Sequence, residues 1–369
     1  MSSVTPIFKI PHSKPDIGQL EQDYVRDVLQ SNMLMTGACV PKFMQAFLAS
    51  LNVPYGVATQ SGSSAIQLAL AVLGIAPGDE VIVPVYICDS VWHAVRAVGA
   101  IPVPVDNAPG SCNPSCEEVL GAITHRTRAI LVAHIMGYPF PIEDLRRSTQ
   151  LPIIEDASQA LGSMLLEKPL GTFGDIAIFS FSGTKMITGG TGGFLATSHE
   201  AYGQRALQMH NSNDGVRAPY VKFSYAMNEL QAGLLLAQME RFQAMLERRA
   251  RLTDLYDESL AGTGFARYTH ANTFSFQYNN YRFLIPTGKA VDRILQRLHA
   301  LGISCRRPID PLYVLHEDIA ENQYPNAAHF HDSILSIPIY PALTDIEAAY
   351  VAHHLHVMYS EEAMYREDE

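Results

Sequence analysis

The sequence predicts an α/β protein. A large domain carries a mostly parallel seven-stranded sheet covered by helices, and a smaller α+β C-terminal domain follows. Three observations predict this. Short apolar runs alternate with helical patterns through the first half of the 369 residues. One long helical pattern then separates that region from a mixed tail. Apolar residues make up 47% of the chain, ample for a large core and a smaller one.

The elements follow in order. Strand candidates are Tyr55–Thr59, Val81–Val85, Ile101–Val105, Ala129–Ala133, Pro152–Glu155, Ile176–Phe181 and Phe194–Thr197. Helical stretches such as Ala65–Leu73 and Val91–Val98 lie between the first five. That alternation implies parallel pairing, with both faces of the sheet buried. The last two runs have no helix between them and predict a hairpin-like or crossover insertion. Asn228–Leu260 is helical by period, with Leu230, Leu234, Met239, Phe242 and Met245 on its apolar stripe. A β-like stretch (Thr273–Ile285), a helix (Ala290–Leu301) and a final helix (Asp345–Tyr359) complete the chain. The domain boundary is placed near 245, giving 1–245 and 246–369.

Composition narrows the function. Charged residues are 17%, against about 25% in an average globular protein, which predicts extra buried surface such as a subunit interface. The net charge of −11, with scattered basic residues, argues against nucleic acid or an anionic membrane as partner. No apolar run reaches the roughly 18 residues of a membrane span. The opening MSSVTPIFKIPHSKP lacks the apolar core of a signal peptide. Five cysteines are too few for a disulfide framework, and Cys112 and Cys116 lack a second pair for zinc. The expectation is a cytoplasmic protein without a metal. GxxxxGK[ST], GxGxxG, HExxH and GxSxG are all absent, and His353, His354 and His356 read as surface histidines of a helix.

Four features sit at or near predicted strand ends, where open α/β sheets bind ligands. Ser61-Gly62-Ser63-Ser64 lies between a strand and a helix, and free N–H groups with hydroxyls suit a phosphate there; ordinary serine capping is the competing account. Asp156 ends an apolar run, where its carboxylate suits a protonated ring nitrogen; taken alone, it reads first as a helix cap in a capping box with Gln159. Lys185 follows an apolar strand and precedes Gly189-Gly190-Thr191-Gly192-Gly193. Most lysines are surface charges, but an enclosed one can form a Schiff base. The glycine run permits close approach of a ligand or a neighbouring subunit, or simply makes a tight turn. Together the four are what pyridoxal 5'-phosphate requires: a phosphate cup, an acid at the ring nitrogen and a lysine for the aldehyde.

The chain resembles the DegT/StrS family of sugar aminotransferases, which have the fold-type-I, aspartate-aminotransferase-like architecture. The resemblance covers most of the sequence. It is carried most specifically by IIEDASQALGS (153–163) and FGDIAIFSFSGTKMITGGTGGFLAT (173–197), with support from TGACVPKF (36–43), SGSSAIQLAL (61–70) and LQAGLLLAQMERF (230–242). It implies that Lys185 holds the cofactor and acts as general acid/base, that Asp156 pairs with the pyridinium nitrogen and that Gln159 meets the phenolic oxygen. Ser180, Gly62, Ser63 and Ser64 would bind the phosphate. Family members often place an aromatic at Cys88; here Tyr86 is the nearest one, so either lies over the ring. Thr191 stands where a glutamate is usual, and Ser182 where a histidine is common. An asparagine that reaches the partner's cofactor has Ser224 or Asn228 as its replacement.

The implied function is transfer of an amino group from glutamate or glutamine to a keto-sugar, nucleotide-linked, in amino-sugar biosynthesis. The cofactor would alternate between pyridoxal and pyridoxamine phosphate in a homodimer with its site at the subunit interface. A cyclitol or other non-nucleotide ketone as substrate, or a non-catalytic cofactor- or sugar-binding regulator, are the alternatives.

Overall fold

The computed structural model describes residues 9–210, 221–262, 267–269, 276, 277, 279, 281–287 and 290–366. Two helices, α1 (Gln19–Ser31) and α2 (Cys39–Leu51), precede the predicted alternation and were not among the expected elements. The main sheet contains β1 (Tyr55–Thr59), β2 (Glu80–Pro84), β3 (Ile101–Val105), β4 (Thr127–Ala133) and β5 (Ile153–Asp156). A small pair, β6 (Met164–Leu165) and β7 (Lys168–Pro169), comes next, before β8 (Ile176–Ser180) and β9 (Gly193–Thr197) return to the main sheet. Its seven strands run in the order β1-β9-β8-β5-β4-β2-β3. Only β9 is antiparallel to its neighbours, so the predicted hairpin-like insertion is β8–β9.

Alternation along β8 shows both faces of the sheet buried there. Ile176 and Ile178 join one core, while Ala177 and Phe179 join another. The first core lies under α3 (Gly62–Val72), α4 (Asp89–Ala97) and α7 (Glu200–His210). The second is aromatic: Phe43 and Phe47 of α2 meet Phe179, Phe181 and Phe194 of the sheet at centroid distances of 4.7–6.1 Å. A third lies under α5 (Cys116–Gly121) and α6 (Ile142–Ser148).

The long helix α8 (Glu229–Leu260) begins one residue later than expected, because Asn228 is its N-cap. It runs unbroken through position 245. Its first half packs into the aromatic core; Leu252, Tyr256 and Leu260 enter a separate core with the tail. The predicted β-like stretch resolves into β10 (Phe276–Gln277), paired with β6, and β11 (Phe283–Pro286); the rest of it lies partly outside the described residues. After β11 come α9 (Val291–Ala300), α10 (Leu312–Leu315), α11 (Pro325–Ser333), β12 (Ile334–Ile337), which pairs with β11, and α12 (Asp345–Arg366). Leu284, Leu312 and Phe330 also pack into the first core, so the tail touches the main sheet directly. All five cysteines are free thiols, and no described helix is long and apolar enough to cross a membrane.

Candidate active site

A cavity of about 340 Å³ opens at the carboxyl ends of the central strands of the main sheet. It collects residues that follow β1, β4, β5 and β8 in the chain, at the carboxyl ends where parallel sheets present ligand sites. Gly62, Ser63, Cys88, Asp156, Gln159, Ser180 and Lys185 all line it, with Ser61, Ser182 and Thr191.

One end is built for an anion. Helix α3 starts there, and Ser61 caps it by accepting from the Ser64 N–H at 3.1 Å. A Cβ on Gly62 would come within 2.9 Å of Ser180 Cβ, and one on Gly193 within 2.2 Å of Ser61 O. Glycine at both positions therefore lets the helix start sit against the β8 and β9 ends, bringing N–H groups and the Ser180 hydroxyl to one point.

The middle carries Asp156 and Gln159. Asp156 is 9% exposed, and its Oδ1 accepts from the Ser158 N–H at 2.9 Å. The chain after it turns rather than entering a helix, so the capping box with Gln159 does not form. Gln159 instead accepts from the Met136 N–H through Oε1 at 2.6 Å. With the oxygen so engaged, the NH₂ end is the one left to donate to an oxygen in the cavity.

Lys185 sits in the β8–β9 connection. Met186 and Ile187 are buried in the aromatic core, while Lys185 lines the cavity. The connection is pinned: Lys185 N–H donates to Ser182 O at 3.0 Å and Phe181 N–H to Gly192 O at 2.9 Å. Buried Gln238 of α8 holds both backbone groups of Thr188, at 2.9 and 2.7 Å. Gln231, also on α8, donates to Thr191 Oγ1 at 2.6 Å.

Tyr86, Ser64 and Asn228 do not line the cavity, each for a physical reason. Tyr86 is fully buried and stands edge-on to Phe330 at 5.4 Å; the neighbours Ile87 and Cys88 face the cavity instead. Ser64 is buried behind the first helical turn, with its hydroxyl 2.8 Å from Ser61 Oγ. Asn228 caps α8 through Oδ1, which accepts from the Gln231 N–H at 2.9 Å, while its own N–H donates to Gln231 Oε1 at 3.1 Å; the contact expected of it belongs to a partner's site.

Other residues were missed. His134 lines the cavity just after β4. Its Nδ1 accepts from the Phe140 N–H at 3.0 Å, so Nε2 carries the proton and donates to Glu155 Oε1 at 2.7 Å. Glu155 has no exposed surface and also accepts from the N–H groups of Gly171, Phe173 and Gly174. Burial pushes its carboxyl up, but His134 and the backbone donors outweigh that and hold it below its ordinary value. Tyr281 is the other: its ring centroid lies 5.8 Å from Lys185 Nζ and 4.2 Å from the Arg282 guanidinium. Burial raises its phenol, but Arg282, Lys185, Arg249 and a hydrogen bond with Thr184 bring it down to about 8. No spacing in the sequence links these residues; only their place at strand ends or beside a candidate residue signals them.

The donor set fits pyridoxal phosphate. A cup of N–H and hydroxyl groups, a buried carboxylate, an amide donor and a primary amine converge in one cavity. A Cβ would close the cup at Gly62.

The model of the DegT/DnrJ/EryC1/StrS aminotransferase family matches residues 15–356. A GDP-perosamine synthase of Caulobacter vibrioides is 31% identical over 92% of this chain and 95% of its own. Among solved structures, DesV of S. venezuelae is 30% identical, with a TM-score of 0.85 over 92% and 94% of the two chains. The putative sugar aminotransferase Spr1654 of Streptococcus pneumoniae, in its PLP-form, shares the fold at 24% identity, with a TM-score of 0.88 over 95% and 99%. The chain belongs to the DegT/DnrJ/EryC1/StrS aminotransferase family and is a pyridoxal-phosphate-dependent transaminase.

Proposed function

We propose that this transaminase moves the amino group of glutamate or glutamine onto a keto-sugar, nucleotide-linked, in amino-sugar biosynthesis. The observation that carries the reading is the convergence of Lys185, Asp156, Gln159, Ser180 and the start of α3 on one cavity. The relatives named as perosamine synthase and sugar aminotransferase support the sugar as acceptor.

The roles follow from the geometry. Ser180, Ser63 and the N–H groups at Gly62 would hold the phosphate, with the α3 dipole favouring its charge. Asp156 would keep the ring nitrogen protonated, and the Gln159 NH₂ would hold the phenolic oxygen. Cys88, as the residue facing the cavity where Tyr86 does not, would lie over one ring face. The cofactor supplies an electron sink and carries the amino group between substrates. Lys185 Nζ takes the proton from the donor's α-carbon and returns one to the carbon that gains the amine. His134 and Glu155 keep the ends of β4 and β5 in register around Asp156.

The protein would act as a homodimer. Met33, Leu34 and Met35 are half-exposed apolar side chains. Leu34 O accepts from the Glu229 N–H at the start of α8, close to Gln231, which holds Thr191 at the cavity. An apolar rim beside the site calls for a covering surface. The chain divides into 1–245 and 246–369, with α8 shared between the cores.

The test is a substrate panel with the cofactor-loaded protein. Amino-sugar formation from a nucleotide-linked ketose, with glutamate consumed, is the expected result. Turnover of free ketoses or cyclitols alone would replace the nucleotide-linked substrate. Cofactor absorbance unmoved by any donor would favour a regulator.

A further inference from the structure

The chain turns from the cavity into α4 at Cys88, and the next residue, Asp89, begins a second cluster that the transaminase reading does not use. Asp89 and His93 stand four apart on α4, so one helical turn brings them onto the same face. His93 Nε2 lies 3.1 Å from Asp89 Oδ2. A third group arrives from a distant segment: His316, just after α10, places Nε2 2.6 Å from Asp89 Oδ1. One ligand atom from each residue lies within 4.8 Å of the other two.

The arrangement is held in place. The His316 side chain is 13% exposed and packs against Trp92 at 5.0 Å, the rings tilted by 34°. The His93 ring meets it at 5.4 Å, close to edge-on. His93 is 64% exposed, so one side of the cluster is open to solvent.

Two imidazoles and one carboxylate are donors for borderline divalent cations, whereas magnesium and calcium prefer oxygen alone. Zinc takes such ligands at about 2.0–2.2 Å, which sets them roughly 3–3.6 Å apart. The three ligand atoms lie within 4.8 Å of one another, and the exposed side at His93 leaves a fourth position for water. Cation binding would also tie two parts of the fold together. The Leu312 N–H already donates to Val85 O at 3.0 Å, which lays the segment before His316 against the end of β2. Cys88 and Ser90, on either side of Asp89, line the cofactor cavity.

We propose that Asp89, His93 and His316 form a site for a zinc-class divalent cation, which clasps the segment around His316 to α4 beside the cavity wall.

The test uses the full-length, cofactor-loaded protein, stripped of metal by chelation. Zn²⁺ is titrated calorimetrically, and Co²⁺ is followed by its visible absorption. The expected result is one zinc per chain, a raised unfolding midpoint and Co²⁺ bands of a nitrogen- and oxygen-ligated ion. His93→Ala and His316→Ala should each weaken binding by at least about tenfold. His316→Gln places an amide N–H where Nε2 donates to Asp89 and so guards against mere misfolding; it should lose the metal while its metal-free midpoint stays near the parent's. A His353→Ala/His354→Ala variant of α12 and Cys88→Ser should both bind as the parent does. No heat from the parent, equal binding by parent and His316→Gln, or loss of binding in the α12 or Cys88 variant would overturn the site.

Discussion

Glu155 and Tyr281 show how far single side chains reach beyond local pattern. Glu155 accepts four hydrogen bonds with no exposed surface, joining β5, His134 and the turn at 171–174. Glu155→Ala strands those donors, and breaking such a buried pair costs about 3–5 kcal/mol. Denaturant unfolding should register that loss. The depressed carboxyl also sets a pH dependence. Glu155 contributes stability above its unfolded value, and that contribution disappears as pH falls through its lower folded value. Tyr281 obeys the same sign, because its phenol is lowered from 10 to about 8. Its contribution is full above the unfolded value and is lost as pH falls through about 8. A tyrosinate absorbance titration should find one phenol ionising near 8, absent in Tyr281→Phe; titration of every described phenol at its ordinary value or above would contradict it. The sequence made Lys185, Asp156, Gln159 and Ser180 legible because each sits at a strand end in a readable segment. It did not show where the Tyr86 ring turns or that Asn228 caps α8. Side-chain direction at Tyr86 depends on the irregular turn after β2, and Asn228 was read for what it would touch, not for the capping it performs.

At the scale of elements, the Lys185 connection depends on what lies beneath it. Phe47 of α2 contacts Phe179, Phe181 and Phe194 at 5.0, 5.3 and 4.7 Å. Phe181 and Phe194 bracket the connection that carries Lys185. Phe47→Ala removes a fully buried ring and should cost about 3–5 kcal/mol in unfolding free energy. A loss below about 1 kcal/mol would show that the aromatic core does not anchor the connection. The seven strands were legible because apolar runs bounded by turn residues recur at strand length. Helices α1 and α2 carry readable helical periods, as at Phe43, Phe47 and Leu51, but they precede the strand–helix alternation on which the reading rested. The α8 anchors, Gln231 and Gln238, were invisible: a buried glutamine on a helix looks like any surface glutamine until its partners are placed.

For the whole molecule, the low charge content becomes specific. The fold buries its sheet on both faces, yet Met33, Leu34 and Met35 remain half-exposed near the start of α8. Light scattering should give two chains per particle, and Met35→Asp should shift the population toward one. A parent that is monomeric at working concentration would contradict the shared site. The net charge of −11 leaves phosphate-bearing ligands to local donors at α3 and Ser180. The central claim is that Lys185 carries the cofactor in the cavity those donors complete. Borohydride reduction of the holoenzyme, followed by peptide mass mapping, tests it directly. The account predicts one pyridoxyl group per chain, on Lys185, with Lys185→Ala holding cofactor that washes away and giving no turnover. A label on another lysine, or full activity in Lys185→Ala, would contradict it.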